Sequence, residues 1–92
     1  ELSGIGTYKD GKQEGLFEKY HKNGQLETKT NYKDGKKDGL YEKYYKNGKL
    51  QVKGTYKPIN KGGLWERDGL WEYFNQDGTR KDTRFYKNGV KQ

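Results

Sequence analysis

Residues 6–29 read GTYKDGKQEGLFEKYHKNGQLETK, and residues 30–53 read TNYKDGKKDGLYEKYYKNGKLQVK. The two segments align without a gap and define an internal repeat of 24 residues. A third unit covers residues 54–83, and a partial fourth unit covers residues 84–92. The sequence therefore predicts a single repeat domain over residues 1–92, in which successive units share one local fold and pack on one another.

Each of the first two units contains two turn signals, an Asp-Gly pair and an Asn-Gly pair. Both pairs tolerate the positive φ angles that tight hairpin turns require. In the first two units they fall 13, 11 and 13 residues apart, which leaves strands of roughly seven to nine residues between the turns. Glycine interrupts every longer segment and alanine is absent, so no helix is expected. The predicted fold is all-β, a twisted antiparallel meander of repeated β-hairpins.

One stretch, YKPINKGGLWERDGLW at residues 56–71, breaks the repeat. It carries six residues more than the equivalent part of the other units, so we expect a six-residue insert within residues 57–72. The spacing from Tyr56 to Gly63 equals the spacing from the tyrosine to the glycine in the earlier units. Pro58 suits the first corner of a type I or II turn, which predicts a different turn at this point.

The extra residues of this stretch allow two interpretations. In the first, residues 63–66 extend a loop that ends at Asp68. In the second, the segment is a bulged strand that bears Trp65 and Trp71. Loops and bulges often direct side chains at ligands, but the two indoles could equally fill the packing position of Phe17 and Tyr41 in the earlier units.

The composition predicts a thin core that is built from aromatic rings. Charged residues make up 36% of the chain and aromatic residues 15%, and cysteine is absent, which excludes disulfides and thiolate sites. The side-chain alternation places apolar residues on both faces of the sheet. The set expected to be best buried is Leu16, Leu26, Leu40, Leu50, Tyr20, Tyr32, Tyr44, Tyr56 and Phe74.

The sequence contains few residues that could bind a metal ion or act as a nucleophile. His21 is the single histidine, and its equivalents in the next two units are Tyr45 and Asn75, so we expect an exposed residue at a strand end. A transition-metal or structural zinc site would lack ligands. The one serine, Ser3, stands near the start of the chain, which argues against a nucleophilic triad. No cofactor is expected.

Four glutamates, Glu18, Glu42, Glu66 and Glu72, recur after the aromatic residue of the repeat. Equivalent strands of successive hairpins lie ~9.5 Å apart, a separation that inverting glycosidases also use between their carboxylates. The strands between them supply Lys29 and Lys53, so cross-strand ion pairing is the favoured interpretation and the protein is expected not to be an enzyme.

The segments GLWEYF-NQDG, GLYEKYY-KNG and YKDGKKDG resemble MORN repeats (membrane occupation and recognition nexus). They are most similar to the MORN-variant family of bacterial proteins that are often described as antitoxins. The resemblance implies twisted antiparallel hairpins and a non-enzymatic role as a scaffold or binding module. Eukaryotic relatives are linked to membranes and anionic lipids, and bacterial ones to toxin neutralisation or cell-surface functions. The stretch PINKGGLWER departs from the repeat pattern.

The leading functional prediction is a protein–protein interaction module, because a sheet of repeated hairpins exposes an extended surface and two edges. The candidate interaction surface is Tyr41, Tyr45, Trp65, Trp71 and Tyr73. Pairing of the edges of two copies would give a homo-oligomer. The alternative is an anionic partner for a Lys/Tyr-rich face, for which acidic lipid headgroups are favoured over nucleic acid because no nucleic-acid motif is present.

The sequence is compatible with more than one cellular compartment. The chain begins at Glu1 without a methionine, which predicts a processed protein or a fragment of a longer repeat array. A bacterial protein is expected from the resemblance, and a cell-surface, secreted or cytoplasmic location is compatible with the sequence.

Overall fold

The computed structural model describes residues 3–59 and 64–92, which form eight strands in one open sheet. Each strand pairs antiparallel with its neighbours in sequence, so the order in space is the order in the chain. This confirms the all-β meander, and the described residues contain no helix that could cross a membrane. The strands are β1 (Ser3–Lys9), β2 (Lys12–Tyr20), β3 (Leu26–Lys33), β4 (Lys36–Tyr44), β5 (Leu50–Pro58), β6 (Trp65–Phe74), β7 (Arg80–Lys87) and β8 (Val90–Lys91).

The tight turns are formed by the residues that the sequence pattern indicates. Asp10, Asp34 and Asn88 have φ angles of 52°, 52° and 54°, and the glycine that follows each of them has a φ angle of 79° or 80°. Two successive positive φ angles are typical of the type I′ hairpin turn, whose twist matches that of the flanking strands. These turns join β1 to β2, β3 to β4 and β7 to β8.

A second glycine distorts the middle of every even-numbered long strand. The register of β2 against β1 changes from Glu18 opposite Ile5 to Glu14 opposite Thr7, so β2 carries two extra residues between these pairs. The φ angle of Gly15 is 81°, and the equivalents Gly39 and Gly69 have φ angles of 90° and 70°. Because bulges of this kind bend and twist a strand, the repeat imposes curvature on the sheet at the same place in each unit.

The irregular stretch lengthens one hairpin at its tip. Lys57 lies opposite Glu66 and Pro58 opposite Trp65, and the Ile59 N–H donates to the Leu64 carbonyl at 3.0 Å. The observed arrangement is therefore the second of the two interpretations, a strand with a bulge that bears both tryptophans. The expectation that Pro58 forms a turn corner is wrong, because this proline is the last residue of β5.

The repeat position of Gly15 and Gly39 is taken by Gly69, which begins the GLW segment inside β6. Gly63, which the spacing from Tyr56 suggested for this position, lies outside the described residues. The six extra residues are therefore those that separate Tyr56 from Gly69 in excess of the regular spacing, and they precede the bulge in the sequence.

The core is a row of aromatic rings on one face of a sheet that measures 39 × 34 × 16 Å. The second strand of each hairpin contributes one ring, from Phe17, Tyr41 or Trp71, and small residues lie beneath these rings. A Cβ atom added to Gly54 would stand 2.1 Å from Cδ2 of Trp71, and one added to Gly6 would stand 2.2 Å from Phe17. The rings therefore lie directly on the backbone of the neighbouring strand.

Edge-to-face contacts hold the rings together. The centroid distances are 5.5 Å for Tyr8 with Phe17, 5.2 Å for Phe17 with Tyr32, 5.4 Å for Tyr41 with Tyr56 and 4.9 Å for Tyr56 with Trp71. Trp71 is only 1% exposed, and its indole N–H donates to the Thr55 carbonyl at 3.1 Å. Such pairs contribute roughly 0.5–1.5 kcal/mol beyond the burial of their area.

The predicted core is partly wrong. Leu16 is 43% exposed, and the other leucines of the set are only half-buried, as are Tyr20, Tyr44 and Phe74. Tyr32 and Tyr56 do belong to the ring row, but its most buried members, Trp71 and Tyr86, were not in the set. The physical reason is that the described residues form a single layer, in which no second element covers the face that carries the leucines.

We expect Gly54→Ala to lower the free energy of unfolding by about 1–3 kcal/mol, because the new methyl group would overlap the Trp71 ring and force it away from the backbone. Urea titration followed by circular dichroism measures this change. Thr55→Ala is the matched control at an exposed neighbouring position and should change the value by less than about 0.5 kcal/mol. Equal effects of the two substitutions would contradict close packing at Gly54.

Candidate interaction surfaces

The sheet has two faces of different chemistry. We call the face that carries the ring row, namely Tyr8, Phe17, Tyr32, Tyr41, Tyr56, Trp71 and Tyr86, the ring face. The other face carries the residues that alternate with these rings along each strand, and we call it the leucine face after Leu16, Leu40 and Leu70.

Cations of the ring face stand against aromatic rings. The Lys37 ammonium lies 5.3 Å from the centroid of Tyr41, 5.0 Å from that of Tyr56 and 5.5 Å from that of Trp65. Burial lowers the pKa of Lys37, and the positive charge of Lys19 lowers it further. The Lys37 ammonium is therefore attracted by the aromatic rings around it and repelled by the Lys19 ammonium.

Arg67 takes the equivalent position in the third unit. Its guanidinium lies 5.1 Å from the Trp71 ring and 5.4 Å from the Tyr86 ring, and it donates to the Tyr86 hydroxyl at 2.9 Å. Burial acts to raise the pKa of Tyr86, but hydrogen bonds from Arg67 and Arg84 outweigh burial and lower it. Arg84 lies 4.8 Å from the Tyr73 ring. This end of the ring face is thus a packed cation and ring cluster.

The five residues of the predicted interaction surface, Tyr41, Tyr45, Trp65, Trp71 and Tyr73, do not form one continuous surface in the structure. Tyr41 and Trp65 meet around Lys37, and Trp65 is 39% exposed. Tyr73 is half-buried beneath Arg84, and the Tyr45 hydroxyl donates to the Phe74 carbonyl at 2.7 Å. Trp71 packs in the same position as Phe17 and Tyr41, so its ring is not accessible to a partner.

Exposed apolar side chains lie on the leucine face, where the sequence analysis placed no interaction site. Leu16, Leu70 and Phe85 are 43%, 53% and 54% exposed, and Leu70 stands directly opposite Phe85 in the register. The signal in the sequence is that each leucine precedes the buried ring by one residue. That signal identifies the exposed face only when the ring row is known to form the core.

A line of charges crosses the leucine face beside the leucines. The register places Glu18, Lys29, Glu42, Lys53 and Glu72 opposite one another from β2 to β6, as expected. Glu66 does not belong to this line. It stands on the hairpin extension, where its carboxylate lies 3.6 Å from the Lys57 ammonium.

Direct ion pairs are few along this line. Among the described residues the ion pairs are Lys57–Glu66, Arg80–Glu72 and Arg84–Asp82. The prediction of ion pairs from Lys29 and Lys53 is therefore wrong, because these lysines lie opposite their glutamates in the register without closing a contact. The described residues hold no cluster of three His, Asp or Glu side chains suited to a metal. The alternating charges are surface groups that leave the leucine face close to neutral.

His21 links one repeat unit to the next, and the expectation of an exposed strand end is wrong. The ring is half-buried, and its Nε2 lies 3.1 Å from the Tyr44 carbonyl. Tyr45 makes the equivalent contact with the Phe74 carbonyl, which explains how tyrosine replaces histidine. Asn23 and Asn47 likewise donate to the carbonyls of Lys46 and Gln76 in the next unit. These contacts fix the spacing of the hairpins along the sheet.

The hydroxyl of Tyr44, on the leucine face, donates to Glu42 at 2.8 Å. Burial and this hydrogen bond raise the pKa of Tyr44 from 10.0 to about 12. A raised pKa in the folded state stabilises the fold below the unfolded-state pKa, and the contribution is lost as the pH rises through the folded-state value.

The stability advantage of the wild-type chain over Tyr44→Phe should therefore be constant below pH 10 and should shrink between pH 10 and pH 12. Urea unfolding at several pH values in this window measures the difference. The other tyrosines and the lysines titrate in both proteins, so their contributions cancel in this difference. A difference that does not change with pH would show that Tyr44 ionises like a free phenol.

Three segments of the chain match the sequence profile of the MORN repeat variant, at residues 13–34, 37–57 and 67–88. They begin at Gln13, Lys37 and Arg67, which occupy one structural position opposite the tyrosines of the preceding strands. No curated protein matches the chain. MORN repeats form modules that often take part in protein or membrane-lipid interactions and are generally non-enzymatic. Because the three matches cover more than half of the sequence, the chain belongs to the MORN repeat variant family.

Proposed function

We propose that the protein is a non-enzymatic module that binds a protein partner on the leucine face of its sheet. The observation that carries this proposal is the exposed pair Leu70 and Phe85, which lie opposite each other on β6 and β7, with Leu16 also exposed on β2 of the same face. No second layer covers this face in the described part of the chain. Exposed apolar groups that stand side by side on a rigid sheet are typical of interaction sites, whereas single ones are not.

The dimensions and charges of the leucine face suit such a partner. A face bounded by 39 × 34 Å is larger than the ~800 Å² that each protein contributes to an interface of standard size. The alternating glutamates and lysines beside the leucines would select a partner with a complementary order of charges. The toxin-neutralising and cell-surface roles that the resemblance implies both require a surface of this kind.

The edge of the sheet offers a second way to extend the same interface. β8 pairs with β7 at Tyr86 and Lys87, and the Gln92 N–H donates to the Phe85 carbonyl at 2.7 Å. Among the described strands, β7 is therefore paired on one side only between Arg80 and Arg84. A strand from the partner, or from a second copy of the chain, would add to this edge through backbone hydrogen bonds.

The double variant Leu70→Ser, Phe85→Ser tests the proposal. The immobilised chain is used to capture proteins from a lysate of the source organism, and mass spectrometry quantifies what is retained. We expect the retained partner to fall at least about tenfold, because two serines remove roughly 2–3 kcal/mol of apolar contact or more. Leu64→Ser is the control. Leu64 is 56% exposed, but it lies before the start of β6 and is not part of the Leu70 and Phe85 pair.

Circular dichroism and urea unfolding first establish that both variants fold as the parent chain does. Loss of the partner from the control variant as well, or its equal retention by all three chains, would contradict binding through the leucine face.

A second candidate, adhesion to an anionic lipid surface, is favoured by the charge of the ring face. The contacts and the strand alternation place six cations there, and two carboxylates, Glu27 and Asp82, lie beside them. The six cations are Lys19, Lys37, Lys43, Arg67, Arg84 and Lys91.

For this second candidate we expect co-sedimentation with vesicles that contain phosphatidylserine, and release of the protein when the salt concentration rises from low to moderate. Vesicles of phosphatidylcholine alone are the control. Binding that ignores both the lipid charge and the salt would contradict an electrostatic contact with lipid.

A further inference from the structure

The ring row is interrupted at one place. Tyr8, Phe17 and Tyr32 form one group of contacting rings, and Tyr41, Tyr56, Trp71 and Tyr86 form another. No ring contact joins Tyr32 to Tyr41 in the described part of the chain. A cleft of about 140 Å³ opens between the two groups on the ring face, and Thr30, which is 6% exposed, lies at its base.

The cleft combines apolar walls with two ammonium groups. The rings of Phe17, Tyr32 and Tyr41 line it, and so do the side chains of Lys19 and Lys37. Neither lysine forms an ion pair with any of the described residues. The lowered pKa of Lys37, caused by burial and by the charge of Lys19, agrees with two cations that share a partly desolvated space.

The shape of the cleft favours a carboxylate at the end of a short apolar chain. Its volume is similar to the ~150 Å³ that suffices for a molecule of six heavy atoms such as benzene. The side chain of glutamate has five heavy atoms beyond its Cα atom, two of them methylene carbons. A bare phosphate would meet the ammonium groups but would leave the ring walls without an apolar partner, so these walls favour glutamate.

We propose that this cleft receives a glutamate side chain of the protein partner, with the carboxylate between Lys19 and Lys37 and the methylene groups against Phe17 and Tyr41. The proposal rests on the proposed function, since it adds an acidic anchor on the ring face to a partner that also covers the leucine face. A partner that holds the sheet from both sides would use a loop around the β1 edge or a second binding element.

Glu27 allows a test that separates binding of a carboxylate in the cleft from a purely structural role of its lysines. Its side chain also lines the cleft, and its charge helps to raise the pKa of Tyr41, after burial and the neighbouring Tyr56. A carboxylate at this position repels an incoming carboxylate. Removal of the charge by Glu27→Gln should therefore strengthen the binding of glutamate, while the loss of either lysine weakens it.

The test uses the peptide acetyl-Gly-Glu-Gly-amide as the probe and its glutamine counterpart as the neutral comparison. The ¹⁵N-labelled chain is titrated with each peptide and followed by NMR. We expect saturable shifts at the backbone amides of the cleft, about tenfold weaker binding of the glutamine peptide, and a similar loss in Lys19→Gln and in Lys37→Gln, because each removes one charged hydrogen bond. Glu27→Gln should bind several-fold more tightly.

Lys29→Gln is the matched control, because it removes the same charge from the leucine face. Lys37→Arg keeps the charge over the rings and should retain most of the affinity if Lys37→Gln disturbs the packing. Equal binding of the two peptides, equal losses in the control and the cleft variants, or shifts spread over both faces would overturn the proposal. Binding of phosphatidylserine vesicles that requires Lys19 and Lys37, without any response to the peptide, would assign the cleft to lipid and also overturn it.

The two proposals fail separately. If the peptide does not bind but capture of the partner still depends on Leu70 and Phe85, the anchor in the cleft is wrong and the leucine face stands. If the peptide binds as expected but the leucine variants capture the same partner, the leucine face is wrong and the ring face is the site.

Discussion

The structure depends on a close approach between an aromatic ring and the backbone beneath it. With no second layer, a ring can be buried only by lying flat on the neighbouring strand, and this requires a small residue at that point. Gly54 under Trp71 is the clearest case, because any Cβ atom there would overlap the indole. Each hairpin therefore contributes a ring and a small residue, and the sum of these contacts replaces the aliphatic core that the composition lacks.

The same constraint divides the surface into two chemistries. The contacting rings lie on one face, and lysine and arginine side chains cap them through cation–π contacts, which gather positive charge on the ring face. The leucines that follow the bulge glycines lie on the other face, and no second layer of the described chain covers them. The architecture therefore leaves apolar side chains such as Leu16, Leu70 and Phe85 exposed to solvent.

The sequence predicts the meander because Asp-Gly and Asn-Gly impose hairpin turns by local backbone geometry alone. It does not predict which face forms the core, because GLYEKYY places Leu40 on one face and Tyr41 on the other, and the general preference for burial favours the leucine. Burial of Tyr41 is decided by Thr30 and Gly54 on the adjacent strands. The equivalence of Gly69 with Gly15, and the separate position of Glu66, likewise depend on pairing across strands, which spacing along the chain does not reveal.

A sequence difference between the repeat units explains the position of the cleft. The position beneath the ring is glycine at residues 6 and 54 but threonine at residue 30, where the register places one side chain between Phe17 and Tyr41. A β-branched residue cannot allow the approach that glycine allows, so the rings on its two sides are held apart and the row opens. The buried Thr30 thus lies where the ring row opens into a recess, and Lys19 and Lys37 both line this recess. A repeat that varies at a single packing position can in this way open a recess in its ring row.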